Sequence, residues 1–146
     1  MNQEIKIITN KIVDEKFIKN LHDAFPVAED NPNWNLQAVK EFVQNNHNKF
    51  LAGYVDNQVA AYLYGCISDR LDNKRKKFYV HGLSTKKEFQ RQGVMTAIIN
   101  YLIDVLKQEG LAAIWLLTEP DNIAAVNLYN KTIGNPKDQI MFTRDF

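Results

Sequence analysis

Residues 86 to 96 read K-K-E-F-Q-R-Q-G-V-M-T, a run of cations and amides with one glycine. The run lies between an apolar strand-like segment, Phe78 to Leu83, and an amphipathic helix-like segment that starts at Val94. The first N–H groups of a helix lack internal partners, and the helix dipole adds partial positive charge at that end. Gln90, Arg91, Gln92, Gly93, Val94, Met95 and Thr96 therefore form a candidate site for a phosphate or pyrophosphate, with Gly93 allowing close approach of the anion. The plain alternative is an ordinary helix entry with solvated charges. Neither G-x-x-x-x-G-K-[ST] nor G-x-G-x-x-G occurs in the chain, so it is neither a P-loop nor a dinucleotide fingerprint.

Two further groups could move protons or charge. His81 lies two residues before Leu83, and the two-residue period of a strand puts both on one face, where an imidazole suits acid–base work near neutrality. A histidine satisfied inside the sheet is the equal alternative. Glu119, at the end of the apolar segment Ala112 to Leu117, is a second carboxylate or base candidate, or a solvated loop acid. Glu29 and Asp30 fall in the polar, acidic stretch Val27 to Asn35, a candidate substrate loop. Lone Cys66 reads as a small apolar filler, and His22, His47 and His81 have no metal-ligand spacing, so no metal is expected.

The elements that must position these residues follow from periodicity. Ile5 to Ile8 predicts a strand, and Asp14 caps a helix with apolar residues Phe17, Ile18, Leu21, Ala24 and Phe25, ended by Pro26. Leu36, Val39, Phe42 and Val43 mark a second helix. Phe50 to Val55 and Val59 to Ser68 predict antiparallel strands joined at Asp56-Asn57, a pair that tolerates positive φ. Phe78 to Leu83 is the next strand, and Val94 to Leu106 the clearest helix, closed by Gly110. Ala112 to Leu117 predicts a buried strand, Pro120 and Asp121 open a helix through Lys131, and Gln139 to Arg144 alternates like a last strand.

Composition bounds what this machinery can serve. The 146 residues are 45% hydrophobic, enough to build one core without disulfides, so one domain over 1–146 is expected. A net charge of +1 gives no long-range attraction for nucleic acid or an anionic membrane. The basic run Lys74 to Lys77 lies in the loop before Phe78, at the strand end opposite the anion turn, and reads as solvated. With a single cysteine and no signal-like or membrane-length apolar run, a cytoplasmic setting is expected.

Beyond Glu119 the chain carries N-x-x-A-x-x-L-Y-x-K, with Asn122, Ala125, Leu128, Tyr129 and Lys131. Together with Gln90-Arg91-Gln92-Gly93, this order of motifs resembles the GNAT-type N-acetyltransferases. Within them, V-H-G-L-S-T, Glu119 and A-V-N-L-Y look most like the aminoglycoside 3-N-acetyltransferases. The resemblance covers the whole chain in element order. It implies an α/β fold with antiparallel N-terminal strands and a central splayed strand pair flanked by helices.

The resemblance also implies roles. Acetyl-CoA is held by Leu83, Ser84 and Thr85, by the turn Gln90 to Thr96, and by Asn122 and Tyr129. The Leu83 backbone N–H polarises the thioester carbonyl, Tyr129 protonates the departing thiolate, and His81 or Glu119 accepts the amine proton. Glu29, Asp30 and Glu119 would draw in a small cationic amine. Three departures stand out: Met95 replaces the Gly or Ala that ends the family's phosphate loop and is expected to narrow the pocket, Thr85 replaces Val, and Lys131-Thr132-Ile133-Gly134 is one residue longer than K-x-G-F. Gly82 also stands where the aminoglycoside enzymes tend to carry an acid. The expected partner is a small-molecule amine, with no nucleic acid and no membrane, and a homodimer is left open. The competing readings are a catalytically silent acyl-CoA-binding module, an acetyltransferase for a protein or peptide amine, and a basic-loop nucleic-acid binder.

Overall fold

A computed structural model describes residues 2–26, 32–72 and 74–146, so the acidic pair Glu29 and Asp30 lies outside the described residues. The chain divides into two compact units, Met1–Leu116 and Leu117–Phe146. The first holds β1 (Gln3–Ile7), α1 (Glu15–Ala24), α2 (Leu36–Gln44), β2 (Asn48–Val55), β3 (Gln58–Ser68), β4 (Lys77–Thr85), a 3₁₀ turn (Lys87–Phe89), α3 (Val94–Gln108) and β5 (Ala113–Trp115). The second holds α4 (Ile123–Thr132). No described helix is long and apolar enough to cross a membrane.

Local chemistry explains the element boundaries. Asp14 accepts the Phe17 N–H at 2.8 Å to start α1, and Asn35 accepts the Ala38 N–H at 3.0 Å to start α2. Asp56 and Asn57 both take positive φ, 49° and 65°, so β2 turns directly into β3. Gly110, at φ 80°, closes α3, with the Leu111 N–H donating to the Leu106 carbonyl at 3.0 Å.

The sheet runs β1-β2-β3-β4-β5, with β1 to β4 antiparallel and β5 parallel to β4. One face carries Phe50, Ala52 and Tyr62, which pack with Phe17, Leu21 and Phe25 of the α1 region and Val39 of α2. The other face takes α3. Gly53 makes room for it, since a Cβ there would stand 2.8 Å from Ile98 Cδ1. Ile98, Ile99 and Leu102 of α3 are fully buried.

Two features of β4 set up the site. Its pairing with β3 steps from Tyr64↔Gly82 to Gly65↔Val80, which leaves His81 as an extra residue, a β-bulge. Its pairing with β5 covers only Lys77 to Tyr79, so the two parallel strands part from Val80 onward, as the expected splayed pair.

Two expected strands are corrected. The buried strand over Ala112 to Leu117 is three residues long and is the sheet's edge, which leaves Trp115 42% exposed. The expected last strand, Gln139 to Arg144, is irregular, because alternation without a ladder partner does not make a strand.

The bulge makes Gly65 an obligate glycine. A Cβ there would stand 2.1 Å from the Tyr79 carbonyl oxygen, a backbone atom that cannot swing away. At Gly82 the obstacle is the Tyr64 ring edge at 2.8 Å, which can turn. Gly65→Ala is expected to cost at least about 2 kcal/mol and Gly82→Ala clearly less, read as urea midpoints at unchanged m-value.

Candidate active site

The candidate anion turn leads into α3 through a glycine-opened helix start. Gly93 is the N-cap residue of α3 in a left-handed conformation (φ 78°) and offers no side-chain cap, so the first N–H groups of the helix remain open. A Cβ placed on Gly93 would meet nothing within 4 Å, so no side chain beyond its chain neighbours crowds that point of the turn. Arg91 also takes positive φ, 62°, a conformation a non-glycine residue holds at a cost on the order of 1 kcal/mol. Strain of that kind gathers at functional turns.

The side chains here divide their work. Gln90 Nε2 donates to the Thr85 carbonyl at 3.2 Å and Gln92 Nε2 to the Glu88 carbonyl at 2.9 Å, so both amides brace the turn. Exposed Arg91 has no ion-pair partner among the described residues and is available to an anion. Val94 and Met95 are buried, with 3% and 6% exposure. Met95 therefore packs into the core beneath the helix. Both residues offer a ligand only their backbone.

His81 is the focus of a second group. Its Nε2 lies 3.2 Å from Cys66 Sγ, and its ring stacks on Tyr64 at 6.1 Å and meets Tyr79 edge-on at 4.8 Å. Tyr79 in turn packs on Trp115 at 4.4 Å. Leu83 pairs with buried Leu63, one residue removed from Tyr62 and Tyr64 on β3, so it lies on the α3 face. The expectation that His81 and Leu83 share a face is thus overturned. His81 is itself the extra residue of the bulge, so the two-residue period breaks there. Ser84 pairs with Tyr62 and Thr85 with Ala61.

In the second unit, Asn122 caps α4, its side chain accepting the Ala125 N–H at 3.2 Å. Tyr129 is half-buried, and burial pushes its phenol above the ordinary tyrosine value. Glu119 is exposed, and its carbonyl accepts the Asn122 N–H at 3.1 Å. Among the described residues no cluster of three or more His, Cys, Asp or Glu could hold a metal ion.

An open, glycine-capped helix start that follows a strand parting from its parallel neighbour is the arrangement the sequence motifs implied. The model of the acetyltransferase (GNAT) family matches residues 15–134. The chain belongs to the GNAT acetyltransferase family. Over 47 residues it is 38% identical to the [ribosomal protein bS18]-alanine N-acetyltransferase of Escherichia coli K12, a match that spans 32% of each chain. An aminoglycoside acetyltransferase from an uncultured soil metagenomic sample, crystallised with trehalose, superposes with a TM-score of 0.82 at 14% identity, covering 99% of this chain and 95% of that one. AAC(6')-Iy in complex with the bisubstrate analog CoA-S-monomethyl-acetylneamine superposes at 0.77 and 14% identity, covering 100% and 99%. At such identities the likeness shows the shared GNAT fold.

Sequence reasoning did not single out Tyr64 or the contact of Cys66 with His81. The signal was present in A-A-Y-L-Y-G-C, where alternate aromatics on a strand share a face. The turn itself generates a direct test. Gly93→Asp puts a carboxylate against the open helix donors and is expected to raise the dissociation constant for acetyl-CoA at least tenfold in calorimetry. Gly93→Ala, which meets only the backbone strain, is expected to cost much less affinity.

Proposed function

We propose that residues 1–146 act as one N-acetyltransferase that moves the acetyl group of acetyl-CoA to the primary amine of a small cationic acceptor by direct attack. The observation that carries this reading is the uncapped, glycine-opened start of α3, whose backbone donors and neighbouring Arg91 suit a pyrophosphate. Acetyl-CoA supplies the acetyl group as an activated thioester. Leu83, Ser84, Thr85, the turn Gln90 to Thr96, Asn122 and Tyr129 would hold it, with the Leu83 N–H polarising the carbonyl.

An alkyl ammonium with a pKa of about 10.4 is neutral in only about one molecule in a thousand at pH 7, so its proton must be accepted. His81 takes that role, with Cys66 fixing the ring, and Glu119 is the second candidate. Tyr129 returns a proton to the leaving sulfur. Glu29, Asp30 and Glu119 would favour a cationic acceptor through their charge. A second reading, a protein N-terminal amine as acceptor, is favoured by the partial identity with the ribosomal-protein enzyme. Release of free CoA thiol from acetyl-CoA, followed over amines, aminoglycosides and an alanine-terminated peptide, separates the two.

Tyr129→Phe is expected to lower turnover roughly 10²- to 10⁴-fold with little change in acetyl-CoA affinity. An acid must be protonated to donate, so activity is lost as pH rises through its pKa. Because burial raises the Tyr129 phenol, its alkaline limb is expected above about pH 10 and to vanish in the variant. His81→Ala is expected to lose activity at neutral pH and to recover it as pH approaches the amine's own pKa. A silent acyl-CoA-binding module would bind acetyl-CoA and release no thiol with any acceptor.

A further inference from the structure

On the sheet face that carries His81 lies an apolar cleft of about 140 Å³, walled by Trp34, Phe42, Phe50 and Tyr64, with Ala38 of α2 at its side. Among the described residues no charged side chain lines it. Its walls are fixed. The indole Nε1 of Trp34 donates to the Phe25 carbonyl at 2.9 Å, and the Trp34 carbonyl is 2.8 Å from His22 Nε2. Phe42 meets Tyr64 edge-on at 5.7 Å, and Phe50 stacks on Tyr64 at 6.2 Å. Tyr64 is at once a wall of the cleft and the ring on which His81 stacks.

Resting on the acetyl-transfer reading, we propose that the acceptor is an arylalkylamine: its single aromatic ring enters this cleft, and a short alkyl arm carries the amine past Tyr64 to His81. Size supports one ring, since an apolar cavity of roughly 150 Å³ is known to take up benzene. Chemistry supports an aromatic one, because four ring walls offer edge and face contacts. The largely apolar walls disfavour a polyhydroxylated, polycationic acceptor, whose many hydroxyl and ammonium groups would find few partners there beside Asn33. Gly82 contributes to the choice. A Cβ at that position would stand 2.8 Å from the Tyr64 ring edge, so the glycine lets the ring keep its place as a wall of the cleft.

The test compares 2-phenylethylamine with n-propylamine, using the full chain, in calorimetric binding and in kcat/KM for thiol release. Burying one phenyl ring is expected to favour 2-phenylethylamine by roughly 10- to 100-fold in both measurements. Ala38 is exposed, so Ala38→Phe is expected to fold, to occupy the cleft and to collapse the ratio toward one; Ala38→Leu gives the same comparison with a smaller side chain. Equal treatment of the two amines by the parent, or a ratio unchanged in both Ala38 variants, overturns the inference. In that case thiol release with either amine still upholds acetyl transfer. Tight, Ala38-sensitive binding of 2-phenylethylamine with no thiol release from any acceptor upholds the cleft's choice of ring and overturns the transfer reading.

Discussion

The site depends on one extra residue in β4. Antiparallel strands of equal count keep their side chains alternating, and a bulge is the cheapest way to change which face a residue serves. Here the insertion at His81 turns the imidazole onto the aromatic face while Leu83 keeps its place above α3. The strand can bulge only because Gly65 has no side chain to meet the Tyr79 carbonyl. Just beyond Tyr79, β5 ceases to follow, so the stretch from Val80 to Thr85 has an edge free of strand pairing. One face of β4 thus packs on α3 and the other carries the imidazole.

Charge is handled just as locally. The segment between β3 and β4 contains the basic run that would be the starting point for nucleic-acid binding. Within it Asp69 binds Lys76 at 2.8 Å and lies 3.5 Å from His47, while Arg70 pairs with Asp72. The hydrogen bond from Arg70 is the main reason the Asp72 carboxyl titrates at about 2. Part of the positive charge is therefore answered inside the segment, in keeping with a net charge of +1. At the α3 entry Lys86 pairs with Glu88, while open N–H donors and an Arg91 with no ion-pair partner among the described residues leave positive charge unanswered. The open helix start, which the lysine run lacks, is why the anion reading attaches to the turn.

Much of the fold was legible because it is written in short-range rules. Asp14 and Asn35 announce helix starts, Asp56-Asn57 a tight hairpin, and Gly110 a helix end, each through its own backbone or side-chain geometry. The glycine-opened start of α3 was legible for the same reason. What escaped is non-local. The bulge arises from the register between β3 and β4, which periodicity within β4 cannot reveal, so alternation alone puts His81 and Leu83 on one face where the structure separates them. Met95 faces the core because of how α3 sits on the sheet. Residues 113–115 and 139–144 have strand-like patterns, but a strand's length is set by its neighbours. The aromatic cleft joins Trp34 of one loop to rings from α2, β2 and β3, and no sequence window contains them together.

The exposures of the two proposed proton carriers fit the proton balance of acetyl transfer. An ammonium acceptor gives up two protons on becoming an amide, and the thiolate that leaves takes back one. Each turnover therefore releases one proton to solvent. A base that must discharge to water each cycle is best placed where water reaches it, and His81 is exposed. An acid that must keep its proton until a thiolate forms is best placed where ionisation is costly, and Tyr129 is half-buried with its phenol raised by desolvation. Exchanging the two environments would work against both tasks: a buried imidazole would resist taking a proton, and a freely hydrated phenol would lose its own at lower pH.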